Sequence, residues 1–282
     1  MNFVPFCGYN SPTLRTKNLL KIILALLLCA APSPQVAQER AAHPIALIGI
    51  PSEIAPVEAR LKSATVTRIQ DIVFTSGVID GTPLVAVRSG VGKVNAAIAA
   101  TLLIDHFSPS AVVFTGTAGA IDPELSPGDV VIATAIGYHD FGDVTTTGLV
   151  RSPTRNASSG RLDPAFFPAD PALLAAARRA AVTIKSGHIR EGLIVTGDTF
   201  VASPGNREDL RRQLNAAAVE MEGAAVAQVC AHLGVPLIVI RSITDHADGG
   251  AAGSYRQFLE VASRNAADLA LATIREMLIK SR

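Results

Sequence analysis

The sequence has no tryptophan, only three cysteines, and a formal charge of +1 over 282 residues. Each shortage removes a class of protein. A near-neutral chain with no basic stripe and no interleaved aromatics offers a nucleic-acid backbone nothing to grip, so no nucleic-acid partner is expected. Two cysteines, Cys7 and Cys29, lie in an N-terminal segment unlike the rest; this leaves Cys230 alone in the remainder and excludes a disulfide there. Cys230 falls in an apolar helical stretch and reads as a small core residue. His139 and Asp140 have no further ligands at workable spacing, so no metal is expected. No apolar run is long enough to span a bilayer.

What is present is 49% hydrophobic residues with enough glycine (22) and alanine for close helix-on-sheet packing. That composition suits one sizeable α/β domain, and no internal repeat or second domain is visible. The N-terminus is separate. Arg15, Lys17 and Lys21 precede the short apolar run 22–28, then Ala30, Ala31 and a spacer to about residue 42. This is the order of a secretory leader, so the division expected is a leader and spacer over 1–42 and a domain over 43–282, exported to the periplasm or secreted. A buried N-terminal helix is the other reading of the segment, and Cys29 after Leu28 raises that of a lipid anchor.

Along the domain, buried-strand patterns alternate with helical ones. Residues 45–50, IALIGI, form a continuous apolar run of the kind covered on both faces. It ends at Pro51-Ser52-Glu53, where Ser52 is placed to cap a helix with Glu53 in its first turn. Residues 66–79 and 84–87 read as strands about an Asp80-Gly81 turn. Ser89-Gly90-Val91-Gly92-Lys93 leads into a helix over 94–107. The next strand, 111–115, is followed by a second Gly-containing loop, Gly116-Thr117-Ala118-Gly119-Ala120. Glycines there let backbone N–H groups approach a ligand, and two such loops after consecutive buried strands predict a crevice at the strand carboxyl ends. Neither has the spacing of a P-loop or a dinucleotide fingerprint. Further strands are expected at 130–136, 192–196 and 236–240, helices at 171–182, 206–213 and 255–279, and an exposed loop over 145–170.

The stretch that organises the rest is AVEMEGAA, residues 218–225. It puts Glu220, Met221 and Glu222 where a short apolar β run, 216–219, turns into an apolar helix, 222–233. Two carboxylates bracketing a thioether at the mouth of an apolar segment cost solvation energy unless paired. Either a polyol ligand pairs with them, or they are first-turn acids complementing the helix dipole.

Taken together, SGVGKVNAA (89–97), GTAGA (116–120), PGDVV (127–131), YHD (138–140), GLIVTGDTFV (192–201), VEMEGAA (219–225) and VIRSITDHAD (239–248) resemble the nucleoside phosphorylase and nucleosidase superfamily. Within it they most resemble the 5′-methylthioadenosine/S-adenosylhomocysteine nucleosidases, over about residues 45–278. The resemblance implies a three-layer α/β sandwich with a mixed, twisted central sheet flanked by helices. It also implies a homodimer, no cofactor, and a purine nucleoside as the small-molecule partner. Residue by residue, it implies that Glu53 positions or deprotonates the attacking water and Glu222 holds the ribose hydroxyls. Met221 would pack on the sugar, and Arg241 would orient the water and its carboxylates. Asp245 would protonate the purine at N7, Phe200 would stack on adenine, and Val201 would read the adenine edge through its backbone. Thr117, standing where these nucleosidases usually have Ser, and Gly119 would border the substrate, while Val91 and Tyr255 would line the 5′-substituent pocket.

The chemistry explains the residue types. Adenine leaves poorly as an anion, so an acid must protonate it, and partial burial of an Asp supplies one. The sugar left behind is oxocarbenium-like, for which carboxylates are favourable partners. A carboxylate beside the nucleophile suits water and repels phosphate, which favours hydrolysis over a phosphate-dependent phosphorylase; a non-catalytic exported nucleoside-binding protein would not need the leaving-group acid. Three features depart from the family pattern: Ile50-Pro51 before Ser52-Glu53, an extra residue between Tyr138-His139-Asp140 and Asp143-Val144, and Thr147 where an aromatic is usual. All three bear on the 5′-substituent.

Overall fold

The computed structural model describes residues 43–184 and 187–279. The expected leader over 1–42, with Cys7 and Cys29, lies outside the described residues. Most strands follow from the apolar runs. In chain order they are β1 (Ile45–Gly49), β2 (Lys62–Ile69), β3 (Ile72–Ile79), β4 (Thr82–Arg88), β5 (Ala111–Ala120) and β6 (Val130–Tyr138). After these come β7 (Gly142–Thr145), β8 (Gly148–Arg151), β9 (Phe167–Pro168), β10 (Ile189–Thr196), β11 (Ala218–Glu220) and β12 (Leu237–Asp245). The helices are α1 (Pro51–Glu58), α2 (Lys93–Phe107), α3 (Pro171–Ala181), α4 (Pro204–Leu214), α5 (Gly223–Leu233) and α6 (Ala251–Ile279).

The main sheet is mixed, in the order β11-β10-β6-β12-β5-β1-β4-β3-β2 with β9 appended to β6. β1 runs parallel to both β4 and β5, whereas β2, β3 and β4 form an antiparallel meander. Alternate residues of the buried strands face opposite layers. Ala46 and Ile48 of β1 pack with α2 and α5, while Ile45 and Leu47 pack with α1, α3 and α6. The expected three-layer α/β sandwich is therefore the fold. One feature goes further: β11 pairs in parallel with β10 and antiparallel with the end of β5, closing β5, β12, β6, β10 and β11 into a ring.

Several expected boundaries move, each for a physical reason. Residues 66–79 are not one strand: Gln70 and Asp71, both at positive φ (48° and 66°), turn the chain between β2 and β3. Gly116–Ala120 is not a loop but the second half of β5, held by β12 on one side and β11 on the other. Likewise Arg241 to Asp245 continue β12 rather than follow it. Ser52 does not cap α1; Ile50 occupies the cap and Pro51 the first helical position, where its missing N–H costs nothing. Within 145–170 the chain folds partly into the β7–β8 hairpin and β9. Cys230 is buried in the α5 core, where burial pushes its thiol up to about 12. No helix among the described residues is long and apolar enough to cross a membrane.

Candidate active site

The carboxyl ends of β5, β11 and β12, the start of α1, the loop before α2 and the start of α6 surround a cavity of about 400 Å³, within the size range of small-molecule sites. It is lined by Glu53, Val91, Thr117, Gly119, Phe200, Val201, Met221, Glu222, Asp245 and Tyr255. Of the residues predicted from the sequence, only Arg241 is set behind the wall. Ile50, flagged as a departure from the family pattern, also lines the cavity, as do Thr199, Ala252 and Arg256, to which the sequence reading gave no role.

Glu53 is 6% exposed, and its side chain reaches across from α1 to the middle of β5. Its Oε1 accepts hydrogen bonds from the Thr117 N–H (2.9 Å) and the Thr117 Oγ1 (2.6 Å), while Oε2 faces the Ile50 N–H at 3.4 Å. Burial raises its pKa above the usual carboxylate value, with Arg241 and the Thr117 hydrogen bonds opposing. Gly116 makes this approach possible. A Cβ there would lie 2.5 Å from Glu53 Oε2 and 2.6 Å from Arg241 Nη1, so any other residue would push the carboxylate and the guanidinium out of place.

The two carboxylates of the organising stretch have different fates. Glu220 is wholly committed within the protein: it accepts from Arg241 Nη2 (2.7 Å), from the Thr196 hydroxyl, and from the backbone N–H groups of Glu222 and Gly223. It thereby caps the start of α5 and needs no ligand, so of the two alternatives for this pair of acids Glu220 follows the helix-start one. Glu222 faces the cavity, and Oε1 accepts the Gly92 N–H at 2.7 Å. Gly92 presents that N–H from a backbone with φ +91°, a conformation open to glycine. Burial, then the neighbouring Glu220 charge, pushes the Glu222 carboxyl up to about 8.

Arg241, 1% exposed, lies 3.9 Å over the Phe114 ring. Its ion pair is with Glu220, and its Nε and Nη1 have no hydrogen-bond partner. Burial disfavours its charge, but Glu220 and Glu53 outweigh that and hold it protonated. Its position is that of a fixed charge behind two acids rather than a group touching ligand.

At the far end of β12, Asp245 is 1% exposed; Oδ2 accepts the Thr244 hydroxyl (2.8 Å) and Oδ1 the Ala247 N–H (2.9 Å). Burial raises its pKa, with the Ala247 and Thr244 bonds opposing. A Cβ at Gly119 would come within 2.9 Å of Asp245 Oδ1. Half-exposed Phe200 meets Tyr255 edge-to-face at 6.0 Å between centroids. Asp140, part of the His139-Asp140 pair considered for metal, accepts from Lys93 Nζ at 2.8 Å. Among the described residues no group of three His, Cys, Asp or Glu side chains could hold a metal.

A sandwich whose strand ends gather three buried carboxyls, each with its pKa raised by burial, around one aromatic-walled cavity is the architecture of enzymes that part a base from a sugar. Residues 45–275 match the phosphorylase superfamily, and the chain belongs to that family. Its similarity runs particularly to 5′-methylthioadenosine/S-adenosylhomocysteine nucleosidases. That of Geobacillus kaustophilus is 40% identical over 234 residues, covering 82% of this chain and 97% of the relative. The solved nucleosidase of Neisseria meningitidis, in complex with methylthio-immucillin-A, superposes with a TM-score of 0.74 at 36% identity, over 83% of this chain and 99% of that one. Futalosine hydrolase of Helicobacter pylori also superposes at 0.74, with 31% identity over 83% and 98% of the two chains.

Proposed function

We propose that this protein hydrolyses the N-glycosidic bond of 5′-substituted adenine nucleosides, releasing adenine and a 5-substituted ribose. One observation carries the reading: Glu53 and Asp245, both buried and both with raised pKa, line the same cavity with Glu222 between them in the sequence order. A raised pKa keeps Asp245 protonated nearer neutrality, as a leaving-group acid must be. The proton passes from Asp245 to purine N7 as the C1′–N9 bond breaks, and the electron pair of that bond leaves with adenine. Water adds to the sugar carbon and gives a proton to Glu53, while Glu222 accepts from the ribose diol. Thr117 fixes the Glu53 carboxylate, and Arg241 supports Glu53 and Glu220 from behind.

Water rather than phosphate suits this site because Glu53, Glu220, Glu222 and Asp245 line it and Arg241 is taken up by Glu220 behind the wall, so a phosphate dianion finds no cationic cradle. The deciding experiment incubates the purified protein with 5′-methylthioadenosine in phosphate-free buffer. Adenine and methylthioribose should appear at the same rate with and without phosphate. Dependence on phosphate, with ribose 1-phosphate as product, would replace hydrolysis by phosphorolysis, and an unchanged nucleoside in a saturable complex would favour a binding protein.

Two further readings belong here. Export to the periplasm or beyond rests on the N-terminal pattern, and fractionation finding uncleaved cytosolic protein would refute it. A homodimer is supported by the exposed apolar side chains Val94 and Ile98 on α2 and Phe141, Val144 and Val150 on and before the β7–β8 hairpin, with the Lys93–Asp140 pair linking the start of α2 to the residue before Phe141. Sedimentation giving a monomer at micromolar concentration would count against it.

A further inference from the structure

Among the charged side chains that line the cavity, four are acids and one is a cation, Arg256. Arg256 lies in the first turns of α6, next to Tyr255 and one turn beyond Ala252, both of which also line the cavity. Its guanidinium is exposed and takes part in no hydrogen bond or ion pair among the described residues. By contrast Arg60, Arg88, Arg178, Arg179, Arg190 and Arg275 each hold a carboxylate. A partner is available on the same helix: Glu260 stands four residues on, the spacing at which helical ion pairs form. Glu260 instead pairs with Arg264 at 3.3 Å, and Arg256 faces the cavity.

An unpaired guanidinium at the edge of a cavity otherwise lined by carboxyl and apolar groups has one chemical use that neutral substrates would not exercise. It matches a carboxylate through paired N–H donors. No other cation lines the cavity, so a ligand carboxylate would find its ion pair only here. We propose that Arg256 is a specificity residue for nucleosides whose 5′-substituent ends in a carboxylate, such as the amino-acid tail of S-adenosylhomocysteine, and that it favours these over substrates with a short neutral 5′-group. The inference rests on the nucleosidase reading above, with Val91 and Tyr255 bordering the 5′-substituent. Because Arg256 is open to water, its contribution is that of a partly screened charge-assisted pair.

The test compares two substrates rather than one variant's activity. kcat/KM for S-adenosylhomocysteine and for 5′-methylthioadenosine would be measured with the parent, Arg256→Gln and Arg256→Lys. The ratio of the first to the second should fall about 3- to 30-fold in Arg256→Gln. Arg256→Lys should retain most of the ratio, and added salt should lower the parent's ratio towards that of the Gln variant. A ratio that is unchanged or higher in Arg256→Gln would overturn the proposal. Dissociation constants for the two nucleosides, from calorimetry, give the same ratio independently of turnover. If the parent cleaves neither nucleoside the hydrolase reading falls, whereas cleavage with an unaltered ratio removes only the role of Arg256.

Discussion

Replacing Glu222 by Gln keeps the size of the side chain and an acceptor for the Gly92 N–H while removing the charge. In the folded protein burial, and then the Glu220 charge, push the Glu222 carboxyl from an ordinary 4.5 up to about 8. A raised folded-state pKa means that the folded chain keeps a proton that the unfolded chain releases. The stability this provides is therefore full below 4.5 and is lost as the pH climbs towards 8. At about 1.4 kcal/mol per unit, the parent gives up roughly 3 kcal/mol by about pH 7. Gln carries no such loss. Arg256 and solvent at the cavity mouth screen part of the effect, so the variant should gain about 1–3 kcal/mol near neutrality, or roughly 2–12 °C in Tm for a domain of this size. Near pH 4.5 the two proteins should melt together. Thermal unfolding followed by circular dichroism across this pH range measures the difference. A Tm difference that does not vary with pH, or a Gln variant less stable than the parent at high pH, would refute the assignment of the raised carboxyl to Glu222. The same variant should lose nucleosidase activity, since the single acceptor oxygen of Gln is taken by the Gly92 N–H and none is left for the ribose diol, so stability and activity move in opposite directions.

Two other perturbations test the remaining acids and the buried cation. Asp245→Asn removes the transferable proton with little change of shape, so kcat for adenine nucleosides should fall about 10²- to 10⁴-fold, roughly 3–5 kcal/mol of barrier; a nitrophenyl riboside, whose leaving group needs no proton, should lose far less, and an Asn variant within a few-fold of the parent would place the proton source elsewhere. Arg241→Met strands Glu220 in the interior and should cost about 3–5 kcal/mol in urea unfolding, much of it recovered when Glu220→Gln is added; equal losses in the single and double variants would show that the ion pair is not the reason.

The sequence carried the layers of the fold because its apolar runs are long and unambiguous: residues 45–50 and 236–240 could only be buried strands or buried helix, and their length favours strand. It misled where a local signal reports a distant neighbour. Gly116 and Gly119 look like loop glycines, yet they sit in a strand, and their missing side chains make room for Glu53, Arg241 and Asp245. Nothing within five residues of Gly116 tells that story. The Gln70-Asp71 turn lacks glycine and so escaped notice, although Asp tolerates positive φ better than most residues. Glu220 and Glu222 are indistinguishable in AVEMEGAA; only the positions of Thr196 and Arg241 show that one is paired within the protein and the other is left to meet a ligand. Arg256 gave no signal, being one arginine on a charged helix surface.

The commitments of Glu220 have a consequence for the order in which the chain can mature during synthesis. Its carboxylate closes the start of α5, but it is balanced by a guanidinium on β12, and β12 in turn pairs with β5 and β6. A nascent chain that has released β11 and α5 but not yet Arg241 holds an acid that must stay hydrated, so the segment cannot settle into an apolar interior. Docking of β12 thus acts as a late gate: the strand that supplies Asp245 also removes the last obstacle to burying Glu220. Premature termination anywhere before residue 241 should yield a chain that chaperones and proteases meet as unfinished, rather than a stable, inactive domain.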